Sequence, residues 1–374
     1  MPINPFVLER YFAQYEFKVK YLLSSSDCES LMMADLLTKA SPELRHLWEN
    51  LSLGYTESQG HPLLRQEIST LYHISPDQIL VAAPEECIFI AMQTLLSTGD
   101  QIICISPAYQ SLAEIARSIG CNVTPWNLSL QAGKWHLDIN ELEQSITDHM
   151  RALILNFPHN PTGFLPSLSD FNQIIDIARK SGAYIFMDEM YRGLEYQPTD
   201  QLPSICDVYE KGISLSGLSK TCSLPGLRTG WLATQDPDLP SQWIAYKDYT
   251  TICNSAPAEI LALMALQSRT EIISRNLNII LSNLSIAEAF YDKFQSVFTW
   301  IPPLAGSIAF PKWTGAVSID QFCLDLVEKE GIMLVPASKF KFPGQHFRLG
   351  LGRKNFPEAL NQLEAFMVRN GYSG

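Results

Sequence analysis

Positive charge is scarce in this sequence: 27 Lys and Arg stand against 39 Asp and Glu across 374 residues, a net charge of −12. No stretch gathers its basic residues into a stripe, so a phosphodiester backbone has nothing to follow and nucleic acid is not an expected partner. Long apolar runs are also missing. None reaches the roughly 18 residues that a membrane-spanning helix requires, and the opening MPINPFVLERYFAQYEF lacks the basic-then-apolar order of an export signal. Neither membrane insertion nor export is expected, which leaves the cytoplasm. The eight cysteines contain no C-x-x-C pair. That spacing argues for reduced core thiols rather than a disulfide framework or a zinc site, and no metal is expected. Repeats and low-complexity tracts are absent too, which excludes a solenoid.

What is present is apolar residue, 46% of the chain, enough for one large core and a second, smaller one. From about residue 79, short apolar runs alternate with helical patterns: QILVAA, QIICIS, ALILNF, AYIFMD and ISLSG, each followed by turn or cap residues. The rhythm predicts an α/β fold with a mainly parallel sheet covered on both faces. Between the first two runs, Ile88, Ala91, Met92 and Leu95 recur at helical spacing, so a helix is expected from Pro84 to the STGD turn. After about residue 275 a long helical stretch gives way to short strand-like pieces around GSIAF, IMLVP and HFRLGL, the pattern of a smaller α+β domain. The expected division is an N-terminal arm that shares in the small domain over 1–45, a large domain over 46–274 and a small domain over 275–374.

In an open parallel sheet the ligand sits beyond the carboxyl ends of the strands, so polar residues there carry the chemistry. Asp188 ends the run AYIFM, and a carboxylate so placed requires a cation or a protonated heterocycle opposite it. Lys220 follows ISLSGLS, where removal from water turns a lysine into an amine nucleophile. Arg228 offers a planar guanidinium fork for phosphate, and the helix after Ala83 points free N–H groups toward the same place. A carboxylate for a ring nitrogen, an amine for an aldehyde and a fork for a phosphate together describe pyridoxal 5′-phosphate.

The motifs NFPHNPTG, MDEMYRG and SKTCSLPGLRTG, in that order, resemble the fold-type I, class I/II pyridoxal-phosphate enzymes of the aminotransferase superfamily, from Tyr55 to Arg348. The resemblance implies Lys220 as the Schiff-base lysine, Ser219 and Arg228 as phosphate ligands, and Asp188 as the partner of the pyridine nitrogen. It implies Tyr191 and Asn160 at the ring hydroxyl oxygen and Tyr109 stacked on the ring. Arg348 would clamp the substrate α-carboxylate, with Asn160 beside it, and Asp27 in the Ser24–Asp27 run would line the substrate pocket. Tyr55 would reach the phosphate of a partner subunit, so a homodimer is implied. SLPGLRTGW is similar to the capreomycidine-synthase-like branch, which acts on an arginine derivative.

The sequence departs from the family where the phosphate-cradling helix begins. Ala83-Pro84-Glu85-Glu86 stands in place of a Gly-Ser-like pair, which leaves the N–H groups of Glu85 and Glu86 for the phosphate. The implied activity is transfer of an α-amino group from an amino acid to a 2-oxo acid. Elimination, replacement or cyclisation is the alternative that keeps the same lysine, and a ligand-sensing module without catalysis is the third reading. YKDYTTICNSAP carries no arginine where dicarboxylate-specific relatives have one, while Asp27, Glu29, Glu85 and Glu86 supply carboxylates near the site. Basic or neutral polar donors are therefore expected ahead of aspartate or glutamate.

Overall fold

The computed structural model describes residues 3–147 and 149–372. Seven strands form the central sheet: β1 (Ile79–Ala82), β2 (Gln101–Ser106), β3 (Asn122–Asn127), β4 (Met150–Asn156), β5 (Tyr184–Asp188), β6 (Gly212–Gly217) and β7 (Gly230–Thr234). Their spatial order is β1-β7-β6-β5-β4-β2-β3. Only β7 runs antiparallel to its neighbours. The five apolar runs picked out in the sequence are β1, β2, β4, β5 and β6. The two strands beyond them are β3, mostly exposed, and β7, a buried GWLAT that follows directly on the SLPGLRT motif.

Alternation along the strands places successive side chains on opposite faces. Leu153, Leu155, Ile185 and Met187 join one core with Phe171 and Ile174, from the helix over Leu168–Ser181. Ala152, Ile154 and Phe186 join another on the far face, with Cys87, Ile88 and Met92 of the helix Pro84–Leu95. Both faces are covered, which is why these strands read as continuous apolar runs. The helix from Pro84, expected to end at STGD, ends at Leu95.

The C-terminal part builds a small antiparallel sheet from Ile308–Ala309, Phe347–Gly350 and Val335–Pro336. Helices Arg269–Lys293, Ile319–Glu330 and Phe356–Arg369 cover it, and a stacked Trp313–Phe322 pair at 4.2 Å lies in that core. Tyr21–Leu22 pairs with Ile332–Met333, which brings the following Ser24–Asp27 run against Phe347–Gly350. The approach is close: a Cβ on Gly350 would lie 2.1 Å from the Ser25 carbonyl oxygen, so no other residue fits there. Ahead of it, α1 (Val7–Tyr15) bridges the two parts of the molecule. Its Val7 N–H donates to Gln110 Oε1 at 2.9 Å, and Tyr11 Oη donates to the Leu334 carbonyl at 3.0 Å.

Candidate active site

Asn156 and Asp188 are register partners at the carboxyl ends of β4 and β5. The Asn156 amide ties the two ends together, donating to the Asp188 carbonyl at 2.9 Å and accepting from the Asn160 N–H at 2.7 Å. Sequence reasoning missed this residue; its signal was an asparagine closing a buried strand, where an amide must find partners. His159 sits beside it, fully enclosed between Thr162 Oγ1 and the Pro107 carbonyl, each at 2.7 Å. Burial pushes its imidazole down to about 3, so it is a neutral peg that fixes the loop bearing Tyr109.

Lys220 Nζ donates to Ser26 Oγ at 2.8 Å, and burial lowers its pKa against the opposing pull of Asp27. Tyr191 Oη donates to the Ser26 carbonyl at 3.0 Å. The Asp188 carboxylate accepts one backbone N–H, from Met190 at 3.0 Å, and burial pushes its pKa up to about 6, with that N–H and Lys220 pulling the other way. Among the described residues no cation forms an ion pair with this carboxylate, and one so enclosed with so few donors calls for a positively charged partner. Ser219 Oγ, in a residue only 5% exposed, has no partner among the described residues.

On the small-sheet side stands Arg348, 2% exposed. Its Nε donates to the Ser24 carbonyl at 3.1 Å and one Nη to Asn160 Oδ1 at 3.3 Å. The rings of Phe12 and Phe340 flank its guanidinium, each 5.5 Å from the centroid. No carboxylate pairs with it among the described residues. An unpaired buried cation is costly, and two planar N–H donors without an anion are a receptor for one.

Phe12 comes from α1, a helix the sequence left outside the alternating core. Glu9, Phe12 and Glu16 follow one another at i, i+3 and i+7, so they share a face. Glu9 Oε1 accepts from Tyr109 Oη at 2.7 Å, and the Phe6 ring packs on Tyr109 at 4.9 Å. Glu16, just past the helix end, has its pKa raised by partial burial and then by Asp27 and Glu9, with Arg353 and Lys220 opposing. The helical spacing of 9, 12 and 16 was the available signal for this inner face.

The acids named from the sequence stand differently. Asp27 accepts from Arg353 Nη2 through both oxygens, at 2.9 and 3.1 Å, so its charge is answered. Glu29 Oε2 accepts from the Lys354 N–H, and Glu86 Oε1 accepts from the hydroxyls of Thr250 and Thr251. Glu85 is pushed up to about 7 by burial, with Glu9 and Asp188 adding to it. A carboxyl that titrates near neutrality repels a phosphate less than a fixed anion would. The Glu85 and Glu86 N–H groups open α2 (Pro84–Leu95) and have no partner among the described residues. Arg228, at φ 53°, is exposed, with Nη1 donating to the Pro225 carbonyl at 2.9 Å. Tyr55 is 93% exposed and does not enter the site of its own chain.

The donor set fits pyridoxal 5′-phosphate. Asp188 has no ion-pair partner among the described residues and suits a protonated ring nitrogen; Lys220 is an amine with a lowered pKa and suits a carbonyl carbon; the Ser219 hydroxyl and the N–H groups of α2, unpartnered among the described residues, suit a phosphate.

The sequence model of the family described as aminotransferase class I and II matches residues 20–362. Capreomycidine synthase from Streptomyces vinaceus is 26% identical over 94% of this chain and 88% of its own. The crystal structure of a PLP-dependent aminotransferase from Streptococcus suis is similar over 100% of both chains, with a TM-score of 0.92 and 30% identity. That of the PLP-dependent cyclase OrfR is similar over 99% of both chains, at 0.90 and 25%.

Proposed function

The chain belongs to the aminotransferase class I and II family and is a pyridoxal-phosphate-dependent enzyme, and from that premise we propose that it transfers an α-amino group from an amino acid to a 2-oxo acid. The observation that carries the reading is the buried Arg348, which has two hydrogen bonds to neutral oxygens and no anion among the described residues. A substrate α-carboxylate completes it. The cofactor, when bound, supplies the electron sink that stabilises negative charge left on the substrate α-carbon.

The remaining work falls to side chains of this chain. Asp188 keeps the ring nitrogen protonated, and the burial that raises its pKa favours a cation opposite it. Lys220 Nζ removes the α-proton and returns it. Its lowered pKa keeps a larger free-base fraction than an exposed lysine has, as a general base requires. Arg348 and Asn160 orient the carboxylate, and Phe12 and Phe340 exclude water from that pair. Ser219, Arg228 and the start of α2 hold the phosphate.

In this reading the carboxylates that meet the substrate side chain are Glu9 and Glu16; Asp27 is paired with Arg353, and Glu29 and Glu86 are engaged by a backbone N–H and by two threonine hydroxyls. Two carboxylates on either side of a phenyl ring favour a cationic or polar donor over an acidic one. The functional unit in this reading is a cytoplasmic homodimer. Tyr55, Leu53 and Tyr249 are more than 80% exposed, at 93, 83 and 91%, on a face that suits a second copy of the chain. Eight free thiols suit a reducing compartment.

A second reading is favoured by the similarity to capreomycidine synthase and the cyclase OrfR. There Lys220 removes the same proton, but a group on the β-carbon departs and cyclisation or elimination follows. Product analysis separates the two. With an amino donor and a 2-oxo acid acceptor, the proposed activity yields one new amino acid for every 2-oxo acid formed. A product that keeps accumulating beyond one equivalent per subunit without any acceptor supports the second reading.

A further inference from the structure

The segment YKDYTTICNSAP entered the functional argument only through an arginine it lacks, yet it carries Lys247, a lysine 0% exposed. Its Nζ donates to the Ser58 carbonyl at 2.7 Å, the Val81 carbonyl at 2.8 Å and Asn254 Oδ1 at 3.0 Å. An ammonium has three donors, and each is used on an uncharged acceptor. Glu86 and Glu259 are the carboxylates whose field reaches it, and neither is paired with it. Burying an ammonium this way is costly, and an apolar side chain would fill the same space without that cost. What an ammonium offers is three diverging donors from one atom, which a planar guanidinium does not supply.

The three acceptors lie on three different segments. Ser58 belongs to the Gly54–Gly60 loop that presents Tyr55. Val81 lies in the edge strand β1, three residues before α2 begins at Pro84. Its N–H donates to the Gln59 carbonyl at 3.0 Å and its carbonyl takes both Lys247 and Asn254 Nδ2, so loop and lysine together close the sheet edge. Asn254 is held in turn by Glu259, whose Oε1 accepts from Asn254 Nδ2 at 2.9 Å and from the His61 N–H at 3.0 Å. The turn between Lys247 and Asn254 reaches back to α2 through the Thr250 and Thr251 hydroxyls on Glu86. Within it Ile252 is held at φ 66°, a conformation that β-branched residues rarely adopt, with its N–H on the Lys247 carbonyl.

We propose that Lys247 is a positioning residue for the cofactor phosphate: it locks the start of α2, the Tyr55 loop and the Glu86 clasp into one geometry. The proposal rests on the reading above that α2 and Tyr55 face the phosphate. Pyridoxal, which has the ring and aldehyde but no phosphate, isolates the effect. Apo-protein of the wild type and of Lys247→Met is titrated with pyridoxal 5′-phosphate and with pyridoxal, following tryptophan fluorescence. Affinity for the phosphorylated form is expected to fall about ten- to a hundredfold, while affinity for pyridoxal changes less than about threefold. Equal losses for both would mean general loosening and overturn the proposal, as would no loss for either. If Lys247→Met does not fold, Asn254→Ala, which keeps the lysine but removes its side-chain acceptor, carries the same comparison. A smaller loss confined to the phosphorylated form is expected there, and equal or absent losses overturn the proposal. A wild type that binds both forms equally would instead overturn the reading of the phosphate site itself.

Discussion

Replacing Asp188 by Asn should stabilise the cofactor-free protein while it destroys turnover. The carboxylate is enclosed, with the Met190 N–H as its hydrogen-bond donor, and its pKa stands near 6 against 3.8 for an unperturbed aspartate. A native pKa above the unfolded one means that the folded state binds the proton more tightly. The group therefore favours folding below pH 3.8, and that contribution is lost as pH rises through 6. The attraction of Lys220 is already contained in the net shift. At about 1.36 kcal/mol per unit, the charged carboxylate costs the apo-protein about 3 kcal/mol above pH 7. Asn keeps the shape and can still accept from Met190, but it carries no charge at any pH. Urea denaturation of apo wild type and Asp188→Asn at one protein concentration, from pH 4 to 8, reads the difference. It should be near zero at pH 4 and grow to about 3 kcal/mol in favour of the variant by pH 7 to 8. A difference that is constant with pH, or a less stable variant at pH 7, would refute the claim that burial strains this group. The same substitution in the cofactor-loaded enzyme should lower kcat by orders of magnitude, because the ring nitrogen loses its counter-ion.

Arg348→Gln should lower kcat/KM for every amino donor by about a hundred- to a thousandfold, the loss expected for one partner of a buried ion pair, while apo-protein stability holds or rises because an unpaired cation is removed; unchanged kcat/KM would place the carboxylate elsewhere. Glu16→Gln and Glu9→Gln should each reduce the preference for lysine- or arginine-like donors over neutral ones by about tenfold, leaving neutral donors unaffected. A wild type that prefers leucine, phenylalanine or aspartate would show that these acids do not face the substrate. Lys220→Ala should remove the visible absorbance of bound cofactor and all activity. Mixed with Tyr55→Phe subunits, provided each variant is inactive alone, it should regain part of the activity through hybrid dimers, and no recovery in proven heterodimers would argue against shared sites.

The central strands were legible because burial on both faces turns a strand into an unbroken apolar run, which is how β1, β2, β4, β5 and β6 announced themselves. Mostly exposed β3 gave no such signal, and the buried β7 was passed over because its residues run on from the SLPGLRT motif. At the site, Lys220, Asp188 and Asn160 were named because each stands in a motif at or just after a strand end, and Arg348 from the resemblance carried by FRLGLG. Tertiary pairing was invisible: nothing local says that Arg353 answers Asp27, or that the turn threonines take Glu86. Glu9 and Glu16 went unnamed because what they face depends on where α1 lies, which is fixed by Gln110 and Leu334, more than a hundred residues away. Lys247 reads in sequence as an ordinary lysine, and only its three acceptors on distant segments distinguish it.

The fate of the amino group separates transamination from elimination and cyclisation. Purified cofactor-loaded enzyme is mixed with a single amino donor and no 2-oxo acid, and the cofactor spectrum, the 2-oxo acid formed and the ammonia released are followed together. Transamination predicts one equivalent of 2-oxo acid per subunit, conversion of the cofactor to its amine form, no ammonia, and return of the original spectrum when a 2-oxo acid is added. Continued release of ammonia, or accumulation of a cyclised product beyond one equivalent with the cofactor spectrum restored after each turnover, would contradict it.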